Sequence, residues 1–450
     1  MISRKTPTST PNDHGVRGCI LSRVGVVCIT PAARALSRAP SGPPMRSIFY
    51  LLVVTVLACT ACTSHEISKP QVIKYETPYS SSSWMGQTNL ATTPDGKVVL
   101  TWLEKVGREQ YALRLLVRQA GSWSAPRTIT EGNAFVIHWA ELPSLVVLPS
   151  REWIISWIEN AQEGQGQTEL KISRSDDQGA TWGPPITLLP DQHLADRSFA
   201  SLQPWSDGDV AAIYLDGRAL SRDETPLNRE PEVRFTTFHP DGKPGRDAVI
   251  DAMPCDCCRP ALAHTDRGLI AVYRHRDNIE TRDIFIARYH NDFWTKPVPV
   301  HTDGWILKGC PLNGPAVSTS GDTVSVAWFT GANAKARVFV AFSDDGGATF
   351  GSPVLVSEAF TLGRVNIELV SDNAALVSWL ETGNQGATLM ARLVMKDGTM
   401  GKSFPVSQNG GASVARIPRM VRVGKELLFV WTGSGEPGSL RMASLTPEPQ

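Results

Sequence analysis

The sequence has no excess of charge of either sign. Lys and Arg together number 44, and Asp and Glu together also number 44, so the formal net charge at pH 7 is zero. A protein that binds nucleic acid through its phosphate groups needs a basic surface. The composition therefore predicts no nucleic-acid partner.

The sequence also has no apolar run long enough to cross a membrane as a helix, which takes roughly 20 residues. An apolar run extends from Ile48 to Ala58, after Met45 and Arg46. A basic start, a short apolar stretch and small residues before a cleavage point are typical of a secretory signal. We expect residues 45–62 to be a signal peptide that starts at Met45, residues 63–70 to be a tether, and residues 1–44 to be upstream read-through or disordered.

The end of this apolar run, Val56-Leu57-Ala58-Cys59, resembles the lipobox of bacterial lipoproteins, whose cysteine is lipidated and becomes N-terminal. The resemblance implies lipid attachment at Cys59, with Cys62 as the alternative. It also implies a place in the cell envelope, on the periplasmic or outer-membrane side, with membrane contact through the lipid anchor only. An ordinary cleaved signal with incidental cysteines is the other interpretation.

What the sequence does contain is a repeat. Seven apolar runs of β-type residues end in an aromatic residue at intervals of 51 to 59 residues, at Trp102, Trp157, Tyr214, Tyr273, Trp328, Trp379 and Trp431. A period of this size indicates one supersecondary unit copied around an axis. Within residues 141–190, four short runs are separated by turn residues, as in a four-stranded antiparallel meander. The sequence thus predicts an all-β fold, a single β-propeller over residues 71–450.

The number of blades follows from the last repeat, which stops after three predicted strands and so leaves a sheet edge without a partner. Residues 71–76 precede the first repeat and have strand character. We expect them to form the outermost strand of the last blade, beside residues 439–446. Seven blades are predicted on this basis, with six as the alternative.

Two turns carry a more specific motif. Residues 175–182 and 343–350 both match S-x-D-x-G-x-T-[WF]. This motif resembles the Asp box of the sialidase (BNR repeat) superfamily of propellers. Its aspartates can accept hydrogen bonds from their own turn, its glycines allow positive φ, and its aromatic residues pack between sheets. These structural positions are Asp177, Gly179, Trp182, Asp345, Gly347 and Phe350.

The resemblance carries expectations about activity as well. Sialidases of this superfamily use three arginines for the substrate carboxylate, a Tyr–Glu nucleophile pair and an Asp acid/base, on a six-bladed propeller. They often carry Phe/Tyr-Arg-Ile-Pro near the start of the propeller. The only Arg-Ile-Pro here is Arg416-Ile417-Pro418, in the last repeat. An exo-acting glycoside hydrolase of sialidase type is therefore kept as an alternative function, since fold does not imply function.

In a propeller, the loops before the inner strand and after the second strand lie on one face, where sites are commonly built. In repeats three to five these loops are rich in Arg, Asp and His. Guanidinium groups bind carboxylates and phosphates, which predicts a site for a glycan or small anionic ligand, whereas mutual salt bridges are the alternative. The candidate ligand-binding residues are Arg218, Arg259, Arg274, Arg276 and Arg282, with Trp139 and Trp305 either stacking on sugars or plugging the channel. The candidate acids for glycoside chemistry are Asp216, Asp277, Asp283 and Glu141.

The same face is expected to hold four cysteines. Cys255, Cys257 and Cys258 lie in one loop and Cys310 lies in the corresponding loop of the next repeat. In an exported protein these indicate disulfides, and we expect Cys310 to bond one of the other three because a Cys257–Cys258 bond would close a strained ring. A soft-metal site assisted by a histidine, His264 or His301, and a free reactive thiol are the other interpretations.

Taken together, these patterns predict an exported, monomeric lipoprotein whose propeller binds an anionic or glycan ligand at the rim of blades three to five. The alternatives are a sialidase-type glycoside hydrolase and a cysteine-based metal or redox protein. No cofactor is required, and a soft metal ion is compatible with the cysteines.

Overall fold

The computed structural model describes residues 71–161, 167–189, 195–218, 231–384, 386–407, 411–413, 416–433 and 439–446. They form seven antiparallel sheets, which are the blades of a β-propeller. The predicted seven-bladed fold is therefore confirmed, and six blades are excluded. The predictions for residues 1–70, including both candidate lipidation cysteines, lie outside the described residues. In the described part of the chain, no helix is long and apolar enough to cross a bilayer.

The strands follow one another from the axis outward in each of the first six blades. Blade 1 contains β2 (Met85–Thr92), β3 (Val98–Lys105), β4 (Tyr111–Gln119), β5 (Ser122–Trp123) and β6 (Arg127–Gly132). Blade 2 contains β7 (Ser144–Val147), β8 (Trp153–Asn160), β9 (Thr168–Ser175) and β10 (Ile186–Thr187). Blade 3 contains β11 (Arg197–Pro204), β12 (Val210–Asp216), β13 (Glu232–Phe238) and β14 (Pro244–Asp251).

The second half of the ring repeats this order. Blade 4 contains β15 (Ala261–Thr265), β16 (Gly268–Arg274), β17 (Ile284–His290), β18 (Phe293–Trp294) and β19 (Val298–His301). Blade 5 contains β20 (Ala316–Ser320), β21 (Thr323–Thr330), β22 (Arg337–Ser343) and β23 (Val354–Ser357). Blade 6 contains β24 (Thr361–Ser371), β25 (Ala374–Gly383), β26 (Gly386–Met395) and β27 (Phe404–Pro405). Short 3₁₀ turns occupy Ser206–Gly208 and Ala332–Ala334.

Blade 7 is assembled from both ends of the propeller. It contains β28 (Arg419–Val423), β29 (Glu426–Thr432), β30 (Ser439–Thr446) and, at its outer edge, β1 (Gln71–Ser80). β1 runs antiparallel to β30, from the Gln71–Thr446 pair to the Ser80–Ser439 pair. The predicted pairing of residues 71–76 with residues 439–446 is confirmed, and the observed strand is four residues longer.

The hydrophobic core lies between the blades. In the described residues it divides into seven clusters, and each cluster combines apolar side chains of two adjacent blades. All seven repeat aromatics lie on the second strand of their blade and are buried, from Trp102 in β3 to Trp431 in β29. Large aromatic residues at one repeated position thus fill the space between sheets.

The two turns that match the Asp-box motif connect the third and fourth strands of blades 2 and 5. In blade 5, Asp345 accepts hydrogen bonds from the backbone N–H of Thr349 at 2.9 Å, from the Thr349 hydroxyl at 2.7 Å and from the Ser343 hydroxyl at 2.7 Å. Asp177 has the equivalent partners in blade 2. Gly179 and Gly347 have φ values of +75° and +79°. A Cβ at Gly347 would lie 2.6 Å from the Ile286 side chain, so glycine serves both the turn and the packing.

Deleting residues 71–76 should lower the melting temperature, because β30 loses most of its outer partner and blade 7 is left with an open edge. Thermal unfolding followed by circular dichroism measures the effect. The same deletion should make the protein more prone to associate, which size-exclusion chromatography detects. An unchanged melting temperature would contradict the role of β1 in closing the ring.

Replacing Asp345 with Ala should reduce the free energy of unfolding by about 1 kcal/mol, since the turn loses its side-chain acceptor. Urea denaturation measures the change. Asp344→Ala is the matched control, because this neighbouring side chain is exposed and pairs with Lys396 at the surface. Equal effects of the two substitutions would show that the hydrogen bonds of Asp345 do not stabilise the turn.

Candidate functional site

The inner strands of all seven blades surround an axial channel. It encloses a cavity of about 520 Å³, which falls within the usual size range of small-molecule sites. Every inner strand from β2 to β28 contributes to the lining. The polar side chains that line it include Asn89, Ser201, Gln203, Arg259, Asn366, Glu368 and Arg419.

Two of these side chains place positive charge inside the channel. Arg259 donates from Nη2 to the carbonyl oxygen of Ala200 at 3.1 Å, and its Nη1 has no hydrogen-bond partner among the described residues. Arg419 donates from Nε to Oδ1 of Asn89 at 2.9 Å. Burial and the charge of Arg419 together lower the pKa of Arg259 to about 9. The channel therefore offers two guanidinium groups, one of them with a free donor.

Two carboxyl groups lie in the same region. Glu141 accepts a hydrogen bond from the backbone N–H of Phe199 at 2.9 Å. Burial raises its pKa to about 7, although the charge of Arg259 acts in the opposite direction. Burial also raises the pKa of Glu368 to about 7, against the hydrogen bond from Ser318 and the charge of Arg419. Near neutral pH both carboxyls are only partly ionised, so positive charge prevails in the channel.

The cysteines lie on the face formed by the loops before the inner strands. A disulfide joins Cys257 to Cys310, with 6.1 Å between their Cα atoms. It connects the loop before β15 to the loop before β20, which confirms the expectation that Cys310 pairs with one of the three neighbouring cysteines. Cys255 and Cys258 are free and buried. In the described residues the only group arranged as metal ligands is Cys255, Cys257 and Cys258, and neither His264 nor His301 joins it.

The five candidate arginines separate into two sets. Arg259 lines the channel, whereas the other four are engaged by neighbouring groups on the loop-bearing face. Arg218 pairs with Asp216 at 2.7 Å and with Asp247 at 3.1 Å. Arg274 donates to three backbone carbonyl oxygens, including those of Asn313 and Phe329. Arg276 and Arg282 pair with Glu280, at 2.8 Å and 2.9 Å.

The four candidate acids also have internal partners. Asp216 is fully buried and contacts Arg197 at 3.3 Å as well as Arg218. Asp277 accepts hydrogen bonds from the backbone of its own turn, and the buried Asp283 accepts them from the N–H groups of Gly304 and Trp305. Glu141 is committed to Phe199 as described above. These carboxylates hold loops in place, and glycoside chemistry needs two that flank a substrate.

The two candidate tryptophans differ in what they contact. Trp305 is only 8% exposed and lies beneath the guanidinium of Arg274. The Cζ atom of Arg274 is 5.0 Å from the centre of the Trp305 ring. Its ring therefore presents little surface for stacking on a sugar. Trp139 is half-buried, and the guanidinium of Arg364 lies 4.4 Å from its ring centre. It packs against the cluster between blades 3 and 4.

Sequence reasoning missed three charged residues near the axis: Arg364, Glu368 and Arg419. Arg364 has a positive φ of 58° at a bulge in β24, and its Nε has no hydrogen-bond partner among the described residues. Single charged residues on inner strands give no periodic signal, because they look like the polar positions of any half-exposed strand. The one available signal was the Arg416-Ile417-Pro418 motif, which directly precedes Arg419.

The fold is similar to that of several solved structures. The chain resembles the BP39L lectin from Burkholderia pseudomallei with a TM-score of 0.58 at 13% identity, over 83% of this chain and 98% of the lectin. It resembles the polysaccharide lyase Uly1 with a TM-score of 0.51 at 11% identity, over 81% of this chain and 90% of the lyase. It also matches the NanB sialidase from Streptococcus pneumoniae with a TM-score of 0.43 at 10% identity, over 78% of this chain and 83% of the sialidase.

The likeness to the lectin and the lyase is a likeness of fold. No family model matches the sequence, and no curated protein matches it. At identities of 10–13% the likeness establishes the architecture alone.

Replacing Glu368 with Gln should stabilise the protein above neutral pH. The pKa of Glu368 is raised in the folded protein, so folding favours its protonated form. The stability that this contributes is fully present below the usual pKa of 4.5 and is lost as the pH rises through about 7. Gln imitates the protonated form, so the advantage of the variant in free energy of unfolding should grow as the pH rises between these values. At pH 8 it should be on the order of 1–3 kcal/mol.

Urea denaturation at pH 5 and pH 8 measures this gain. The exposed Glu358→Gln is the control and should leave stability unchanged at both pH values. A gain that is equal at pH 5 and pH 8 would show that ionisation of Glu368 is not its cause.

Proposed function

We propose that the protein binds a small saccharide that carries a carboxylate, with the acid group held by Arg259 and Arg419 in the axial channel. The observation that carries the proposal is the half-buried Arg259, which is among the residues that line a cavity of about 520 Å³ and whose buried Nη1 has no hydrogen-bond partner among the described residues. A buried guanidinium with an unused donor is unfavourable until an anion occupies it. Guanidinium groups bind carboxylates through paired hydrogen bonds.

The saccharide part of the proposal draws on the polar lining and on the architecture. Asn89, Ser201 and Asn366 make the channel lining polar. Each also hydrogen-bonds backbone groups of the protein. Two of the solved structures with a similar fold are named as a lectin and a polysaccharide lyase. The proposal keeps Arg259 from the predicted rim site and moves the ligand from the rim to the axis.

Binding rather than hydrolysis is proposed because each of the four candidate carboxylates is already engaged, and the channel carboxyl of Glu368 accepts a hydrogen bond from Ser318. Asp216, Asp277 and Asp283 hold neighbouring loops, and Glu141 holds the backbone of Phe199. A glycoside hydrolase needs a carboxyl group free to act as general acid on the substrate. Export to the cell envelope and lipid attachment at Cys59 are further parts of the proposal, supported by the sequence of residues 45–62.

Isothermal titration with glucuronate and with glucose tests the proposal. Glucuronate should bind and glucose should bind at least tenfold more weakly, since the neutral sugar cannot satisfy the guanidinium groups. Affinity for glucuronate should fall between pH 6 and pH 8, because Glu141 and Glu368, with pKa values of about 7, gain negative charge there.

Arg259→Gln and Arg419→Gln should each weaken glucuronate binding about tenfold or more, the expected effect of losing a charged hydrogen bond. Arg108→Gln removes the same charge from an exposed loop of blade 1 and should leave affinity unchanged. Equal binding of glucose and glucuronate, or native affinity in Arg259→Gln, would overturn the proposal.

A further inference from the structure

The four cysteines bring their sulfur atoms together between blades 4 and 5. The Sγ of Cys255 lies 3.0 Å from the Sγ of Cys258 and 3.7 Å from the Sγ of Cys257. Cys257 is bonded in turn to Cys310. Thiol–disulfide exchange begins when a thiolate reaches one sulfur of a disulfide. The cluster therefore holds both reactants of an exchange reaction within contact distance.

Two buried arginines favour a thiolate at Cys255. Nη1 of Arg282 lies 3.0 Å from the Sγ of Cys255. Arg274 donates to the carbonyl oxygens of Asn313, Arg282 and Phe329, and it forms no ion pair with a carboxylate in the described part of the chain. Both guanidinium groups are almost fully buried, and a buried cation is stabilised by a nearby anion. A thiolate at Cys255 supplies that negative charge.

Cys255 and Cys258 are suited to different steps. The hydrogen bond from Cys258 and the charges of Arg274 and Arg282 lower the pKa of Cys255, although burial opposes them. Burial and the neighbouring Cys255 raise the pKa of Cys258. Two cysteines in a C-x-x-C arrangement divide the roles of attacking and resolving thiol in this way.

We propose that the four cysteines form a thiol–disulfide relay, in which one disulfide passes between the Cys257–Cys310 pairing and the Cys255–Cys258 pairing. The relay gives the propeller a second chemical function. It uses different side chains from the ligand proposal, although Arg259 directly follows Cys258 in the same loop.

The exchange is balanced within the protein. The Cys255 thiolate attacks the Sγ of Cys257, the bond to Cys310 breaks, and Cys310 leaves as a thiolate with the electron pair. Cys258 transfers its proton to the Cys310 thiolate and attacks the Sγ of Cys255, and Cys257 leaves as a thiolate. One disulfide, one thiol and one thiolate are present before and after, so no external oxidant or reductant is consumed.

The two pairings differ in what they connect. The Cys257–Cys310 bond joins residues 53 positions apart and ties blade 4 to blade 5, whereas a Cys255–Cys258 bond lies within one loop. Cys310 is exposed, so the exchanged form presents an accessible thiol at the surface. The exchange thus breaks the disulfide that connects blades 4 and 5. It leaves Cys310 as a surface thiol that a partner protein or a small thiol can reach.

Peptide mapping of the purified wild-type protein tests the relay. Acid quenching followed by N-ethylmaleimide blocks free thiols, and blocked Cys310 reports the exchanged form because Cys310 lies on a different peptide from the other three cysteines. The relay predicts both forms, in a ratio that is the same for native protein and for protein reduced and reoxidised with one equivalent of oxidant. Cys310 found only in disulfide form from both starting points would overturn it.

Two variants separate the steps. Cys258→Ser should accumulate the mixed Cys255–Cys257 disulfide with Cys310 blocked, because the resolving thiol is missing. Cys255→Ser is the matched control and should retain only the Cys257–Cys310 disulfide. Four free thiols with one bound metal ion per chain in the wild-type protein, measured by elemental analysis, would overturn the relay in favour of a metal site, and this outcome needs neither variant to fold.

Discussion

Packing between neighbouring blades is the interaction on which the rest of this structure depends. Each sheet has apolar side chains on both faces, so no blade can bury its surface without a neighbour on each side. The seven core clusters are shared between adjacent blades, and a buried aromatic on every second strand contributes to this packing. Because the last blade must pack against the first, the sheets close into a ring. The axial channel and the loop-bearing face exist only as consequences of that closure.

Buried arginines connect this scaffold to its chemistry. Arg274 holds the loops of blades 4 and 5 through backbone carbonyl oxygens, and together with Arg282 it sets the charge around Cys255. Arg259 directly follows Cys258 and is among the residues that line the channel. In each case burial makes an isolated cation unfavourable, so the surroundings favour an anion. For Cys255 the anion is a thiolate of the protein itself, whereas for Arg259 it is the proposed ligand.

The sequence predicted the features that recur in every blade and missed the residues that occur only once. The aromatic positions recur with the blades, so the number of blades, the closing strand and the approximate place of every loop followed from them. Cys310 was expected to bond one of three cysteines, yet the choice of Cys257 depends on loop geometry that spacing does not contain. No sequence pattern marks the charged residues Arg364, Glu368 and Arg419. They come close to one another only when the ring has closed. The sequence predicted which arginines lie on the rim and left open whether they bind a ligand or form salt bridges. Their individual partners depend on how the loops fold, which the sequence does not show.

The pairing of β1 with β30 has a consequence for the order of events in biosynthesis. β1 is made first among the strands described, and its partner is made last. If the chain leaves the cytoplasm in an extended state, β1 must remain unpaired until nearly the whole propeller has followed it. Contacts so distant in sequence slow folding. A chain that ends before β30 has no partner for β1. We therefore expect such a truncated chain to leave its first strand exposed to proteases.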